Sequence, residues 1–315
     1  MRRSQRISRG CGIVATHTGP VETILASIRP DGSWLAPERD YAKYHGSLWQ
    51  IHFLGELWAD PGDERVQRAA AYTFSRQLDD GSWSCNGRPA ASIPCLTANV
   101  GRALARLGFA ADPRVIAALA YIANLYGELD YLGCRGMREF SLNGYCHMTA
   151  PKILLFLGEV PRPLWPSGAD ALRDACIRAL REKEVFRSLP EEYAEFKDTV
   201  LRLPRSELAK AREEFIAEHA PLHYREKQGW LRFGYPLSYN SDALDSLLAL
   251  GEVGETRRPE YLPAIEAVQG AADERMRWML KNTFNGKMLA DVETKGKSSK
   301  WLTLRTLQAL KLFAL

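Results

Sequence analysis

No stretch of the 315 residues approaches the ~20 consecutive apolar positions that a membrane-spanning helix needs, so none reads as a transmembrane segment. Arg2, Arg3, Arg6 and Arg9 form the one basic run, and no apolar core follows it. A solvated tail over residues 1–20 is expected rather than a secretory signal. Neither sign of charge prevails: 42 Lys and Arg face 38 Asp and Glu, a net +4, and the basic positions are spread out. No nucleic-acid partner is expected from such a surface. Phosphate-binding glycine loops, the dinucleotide fingerprint, a His-Glu-x-x-His string and a Ser-His-Asp order are all missing. A cytoplasmic location is the default expectation. The six cysteines (Cys11, Cys85, Cys95, Cys134, Cys146, Cys176) are then expected as thiols rather than a disulfide framework.

What the chain has is tryptophan, eight of them, and a repeat. Ile28-Arg29-Pro30-Asp31-Gly32-Ser33-Trp34 returns as Gln77-Leu78-Asp79-Asp80-Gly81-Ser82-Trp83, with Trp83 49 positions after Trp34 (83 minus 34). A period of that size belongs to arrays of helical hairpins. After each turn comes a helix that is apolar almost all round, Tyr41 to Leu57 and then Pro94 to Leu107, which implies a helix with no solvent face. Amphipathic partners follow, Glu64 to Gln77 and Arg114 to Tyr126, the second opened by Asp112-Pro113. Three further inner helices are predicted, at Tyr145 to Leu157, Trp230 to Leu250 and Trp301 to Leu315. Outer partners are predicted at Gly168 to Glu184 and Pro259 to Lys281. Residues 185–229 break the period with charge and proline and read as an insertion carrying one surface helix, Glu207 to His219.

Aligned on their leucines, the inner segments bring His45, Cys95, Cys146, Tyr239 and Ser299 to one level near the helix starts. Parallel inner helices would make that level a mouth into which free N–H groups point.

The Asp-Gly-Ser-Trp corners between inner and outer helices resemble those of terpenoid cyclases and protein prenyltransferase β subunits. Gln77 to Trp83 is similar to the glutamine–tryptophan motif of squalene-hopene-type cyclases, and Arg29 to Trp34 is a copy without the glutamine. Lys295-Gly296-Lys297-Ser298-Ser299-Lys300-Trp301-Leu302-Thr303-Leu304 and the stretch Gly234 to Asp242 resemble segments of bacterial prenyltransferase and squalene-oxidase repeat proteins. The resemblance implies an all-α fold, a single α/α toroid of five to six helical hairpins over residues 21–315. It implies an enzyme acting on an isoprenoid in an apolar barrel cavity, by cyclisation or prenyl transfer; the alternative is a toroid that binds an isoprenoid, lipid or peptide without catalysis. Peripheral contact with a membrane stays open. Two departures are plain: no Asp-x-Asp-Asp acid occurs, and no Asp-x-Cys pair of the zinc-binding prenyltransferases.

Asp242, one turn into an apolar helix, is the candidate catalytic acid, because a carboxyl in an apolar mouth has a raised pKa; as a helix-start Asp it also reads as a cap. His45, Trp49, Asn99, Tyr145, Tyr235, Tyr239 and Trp301 are candidate substrate contacts, the aromatic faces suited to a carbocation; aromatics at helical spacing also read as core. Cys95, Cys146, His147 and Cys134 are candidate zinc ligands, against the reading that they are small buried residues. Arg102, Lys297, Lys300 and Arg305 are candidates for a diphosphate.

Overall fold

The computed structural model describes residues 19–200, 202–256 and 258–313. Apart from Gly19 and Pro20, the tail expected over residues 1–20 lies outside them, as does Cys11.

The protein is all-α. Among the described residues its helices are α1 (Pro20–Ala26), α2 (Ser47–Glu56), α3 (Glu64–Ser75), α4 (Pro94–Leu104), α5 (Pro113–Leu129) and α6 (Thr149–Glu159), then α7 (Ala169–Glu182), α8 (Pro190–Val200), α9 (Leu208–His219), α10 (Ala243–Glu252), α11 (Leu262–Gln269) and α12 (Lys300–Leu312). Two short antiparallel pairs join them, β1 (Arg187–Ser188) with β2 (Arg225–Glu226) and β3 (Trp278–Met279) with β4 (Ser298–Ser299). None of the described helices is long and apolar enough to cross a membrane.

Two layers follow from the two kinds of apolar pattern. Every residue of α2 and of α4 is buried, as their lack of a polar face demands. By contrast α3 and α7 bury one stripe each, Val66, Ala69, Ala70, Thr73 and Phe74 in the first. Neighbours pack in the order α2, α4, α6, α10, α12, with α3 on α2, α5 on α4, α7 on α6 and α11 on α10. Glycine lets the inner helices approach: a Cβ on Gly55 would sit 2.6 Å from the Ala103 Cα.

The tryptophan corners fasten the layers by one repeated set of bonds. The indole N–H of Trp34 donates to the Ile24 carbonyl at 2.8 Å, and that of Trp83 to the Thr73 carbonyl at 2.9 Å. Their backbone N–H groups donate to Ser47 Oγ and Thr97 Oγ1, each at 3.2 Å, so one residue ties the end of an outer helix to the start of the next inner one. Gly81 takes φ +88°, and a Cβ there would lie 2.4 Å from the Ala117 carbonyl oxygen on α5; only glycine fits both conditions. A third copy, which the sequence pattern did not signal, is Trp278: its indole donates to the Val268 carbonyl at 2.6 Å and its N–H to Thr303 Oγ1 at 3.2 Å. There the Asp-Gly-Ser lead-in is replaced by Glu274 to Arg277, and the bonds alone reveal the kinship.

Three expected helices are shorter than their apolar patterns. Residues 41–46 are turns: Tyr44 takes φ +70° and Gly46 is extended, so α2 begins only at Ser47. Trp230 to Asp242 contains one short turn and then runs irregularly to α10, broken by Gly234 and Pro236. The outer helix expected to reach Lys281 stops at Gln269, ahead of Gly270. The insertion holds α8, which was not anticipated, as well as α9. These pair over a small core of their own, Leu142, Leu189, Phe196, Val200, Leu208 and Phe215.

Candidate functional site

An irregular segment packs on the buried helices α2 and α4. The segment from Phe233 to Asp242 lies against them: His52 Nε2–H donates to the Leu237 carbonyl at 2.9 Å, and Asn99 Nδ2 donates to the Ser238 carbonyl at 3.0 Å. The Tyr235 hydroxyl donates to the Glu56 carbonyl. Burial keeps His52 neutral, its pKa lowered to about 4.

Below this segment runs a buried ionic network. Lys152 Nζ meets Asp245 Oδ2 at 2.7 Å; Arg305 bridges Asp245 Oδ1 at 2.8 Å and Glu56 Oε2 at 3.3 Å. Glu56 also pairs with Arg102, and Arg106 Nε meets Glu159 Oε1 at 2.7 Å. Burial alone would raise the Glu56 carboxyl, but Arg102, Arg106 and Arg305 hold it well below the usual range. Arg102 and Arg305, expected at a diphosphate, are thus committed to carboxylates of the protein.

Asp242 lies at the top of the network as the N-cap of α10. Its Oδ1 accepts the Asp245 N–H at 2.8 Å and its Oδ2 accepts the Gly234 N–H at 3.0 Å. Burial, and then repulsion by Asp245, push its pKa up to about 7. Capping and a raised pKa, foreseen as alternatives, coexist in one side chain.

The predicted contact residues do not share one pocket. Trp49 and Tyr239 meet edge to face at 5.0 Å, and the Tyr239 hydroxyl is bonded to that of Tyr41. Tyr235 and Trp301 stack on each other at 5.0 Å. Asn99 serves the Ser238 carbonyl, and His45 is exposed. Cys95 is buried while Cys134 and Cys146 are half-buried, all free thiols, and burial raises the first two, Cys134 to about 11. Among the described residues no three His, Cys, Asp or Glu side chains come together as metal ligands do.

Tyr145 and His147 lead elsewhere. The turn that carries them precedes α6 and is roofed by the insertion, whose Tyr193 hydroxyl accepts the Leu142 N–H at 3.2 Å and donates to Asn143 Oδ1 at 3.1 Å. A cavity of about 540 Å³ opens there, walled by His147, Leu189, Pro190, Tyr193, Lys227 and Gln228. Behind it, at the end of α7, stands Lys183, which is fully buried. Its Nζ lies 3.9 Å from the centre of the Trp230 ring and donates one long bond, 3.4 Å, to the His147 carbonyl. No carboxylate pairs with it among the described residues. Burial, and then Lys227, depress its pKa far below that of an ordinary lysine. Burial and the two lysines lower His147 to about 3, and the Nδ1 of this imidazole is buried without a partner. Nothing in the linear pattern singled out Lys183: it sits on an amphipathic outer helix among Arg181, Glu182 and Glu184, where a solvated lysine is the ordinary expectation.

No protein-family model matches the chain, and no curated protein does. A crystal structure described as that of a protein from Actinoplanes is similar to it at 16% identity, over 94% of this chain and 98% of that one, with a TM-score of 0.34; at that score the likeness carries no argument.

Proposed function

We propose that this protein is a single α/α toroid of the terpenoid-cyclase-like kind that binds an isoprenoid or kindred lipid, without catalysis, in the cavity between the start of α6 and the insertion. The observation that carries this reading is the placing of space. Tyr235 to Tyr239 and the ionic network pack on the buried helices, whereas the cavity beside His147 is about 540 Å³, in the range of small-molecule sites, and has Leu189, Pro190 and Tyr193 in its wall. A cytoplasmic location, with transient contact at a membrane surface to collect such a ligand, belongs to the same proposal. Titration calorimetry of the full chain with farnesol tests it: saturable one-to-one binding that is weakened by Leu189→Arg is the expected outcome, and absence of binding sinks it.

A second reading, cyclisation or prenyl transfer with Asp242 as the acid, is favoured by one observation: a fully buried carboxyl beside Asp245, whose pKa burial pushes up to about 7. Incubation with squalene and with prenyl diphosphates separates the two. Turnover that Asp242→Asn abolishes would establish the enzyme.

A further inference from the structure

We infer that the cavity beside His147 takes an apolar ligand ending in a carboxylate, whose charge is met by Lys227 in the wall and Lys183 behind it. The inference rests on the lipid-binding reading and adds the head group to it.

The ground for it is a buried amine that has no carboxylate beside it among the described residues. A fully buried ammonium without a carboxylate is a costly arrangement, met in proteins by pairing or by loss of the proton. Lys183 has one long bond to a carbonyl and the face of Trp230, which favours a cation without neutralising it. The groups that face it are Tyr145, Cys146 and His147 from the turn before α6, and Lys227 from the strand of chain leading to Trp230. None of these is a carboxylate. Lys227 is a second amine drawn out of water, and burial lowers it too. The acid in the wall, Glu226, is exposed and accepts a bond from Gln228 Nε2 at 3.1 Å, at the solvent side. The unpartnered Nδ1 of His147 supplies one more polar atom in the same place.

One carboxylate would answer one amine in contact and one behind it. A diphosphate would bring more charge than two lysines meet, and no arginine lines the space. An anionic head would make the protonated form of the lysines the binding form. Affinity is therefore highest where the lysines are charged and falls as pH rises.

The experiment compares two probes with the same tail, farnesoic acid and farnesol, by calorimetry on the full chain at pH 6 and pH 9. The expected result is that the acid binds at least tenfold more tightly than the alcohol at pH 6, that this preference shrinks at pH 9, and that Lys183→Met and Lys227→Met each reduce it. Equal affinities for acid and alcohol, or a preference that is the same at both pH values, overturn the inference while leaving the lipid-binding reading intact. Failure of both probes to bind ends both. The wild-type comparison decides the matter even where a variant does not fold.

Discussion

The ionic network around Asp245 and the region beside His147 both bury lysine, and they treat it in opposite ways. Lys152 and Lys183 are each almost wholly removed from solvent. Lys152 faces Asp245 at 2.7 Å inside a network that reaches Arg305, Glu56, Arg102, Arg106 and Glu159, whereas Lys183 faces aromatic rings, an imidazole and another lysine. A buried charge with its partner present belongs to the architecture. A buried amine without a carboxylate partner among the described residues is the ground on which we propose a ligand in the cavity beside His147.

The same substitution at both sites breaks the comparison most directly. Lys152→Met strips Asp245 of one of its two cations in a dry interior, and breaking a buried pair costs about 3–5 kcal/mol. Since Arg305 remains, a loss of about 3 kcal/mol is expected from urea denaturation. A loss under about 1 kcal/mol would mean that Arg305 alone balances Asp245 and that the network is redundant.

Asp242 sits between the two regions and sharpens their contrast through pH. Its folded pKa of about 7 lies above the ordinary 3.8, so its contribution to stability is full in acid and declines as pH rises from about 4 to about 7. His52 acts in the other direction: held neutral at about 4 against an ordinary 6.5, it makes the folded state lose stability as pH falls through that window. In the wild type the two slopes oppose each other. Asp242→Asn removes one, and it leaves one backbone N–H, of Gly234 or Asp245, without its acceptor, at a cost of about 1–3 kcal/mol. Denaturation at pH 5 and pH 7 should show a steeper loss on acidification in the variant than in the wild type; parallel profiles would mean that Asp242 is ionised throughout.

The corners offer a smaller and cleaner test, and they also show what could be seen in the sequence. Trp83→Phe deletes the indole donor to the Thr73 carbonyl and leaves that carbonyl buried, for an expected loss of about 1–2 kcal/mol by thermal or urea denaturation; no loss would mean that the ring's packing alone holds the corner. Trp34 and Trp83 were legible as corners because Asp-Gly-Ser precedes each, and glycine at positive φ is a requirement that sequence records. Trp278 makes the same two bonds from a different local sequence, so only coordinates expose it. Inner helices were legible as continuous apolar runs, but the same composition serves the irregular segment through Pro236, and pattern alone could not say where helix gave way to it. The site was legible in part. His147 was singled out only as a candidate metal ligand and Tyr145 only as a candidate aromatic contact, while Lys183 was not singled out at all, because its neighbours Trp230, His147 and Tyr145 come from distant parts of the chain.

Lys183→Met should have the smallest effect on stability, and its sign carries the point. No carboxylate is orphaned when the amine is removed, and methionine keeps the unbranched stem that packs on Trp230. A change within about 1 kcal/mol at pH 7, in either direction, is expected. The wild type should gain stability as pH rises from the depressed folded pKa of Lys183 toward the ordinary value of 10.5, because over that range the unfolded chain holds a proton that the folded one does not. In Lys183→Met that rise should flatten. If instead the variant loses several kcal/mol and the alkaline limb persists, Lys183 is a charged, load-sharing member of the fold like Lys152, and the contrast between the two regions disappears.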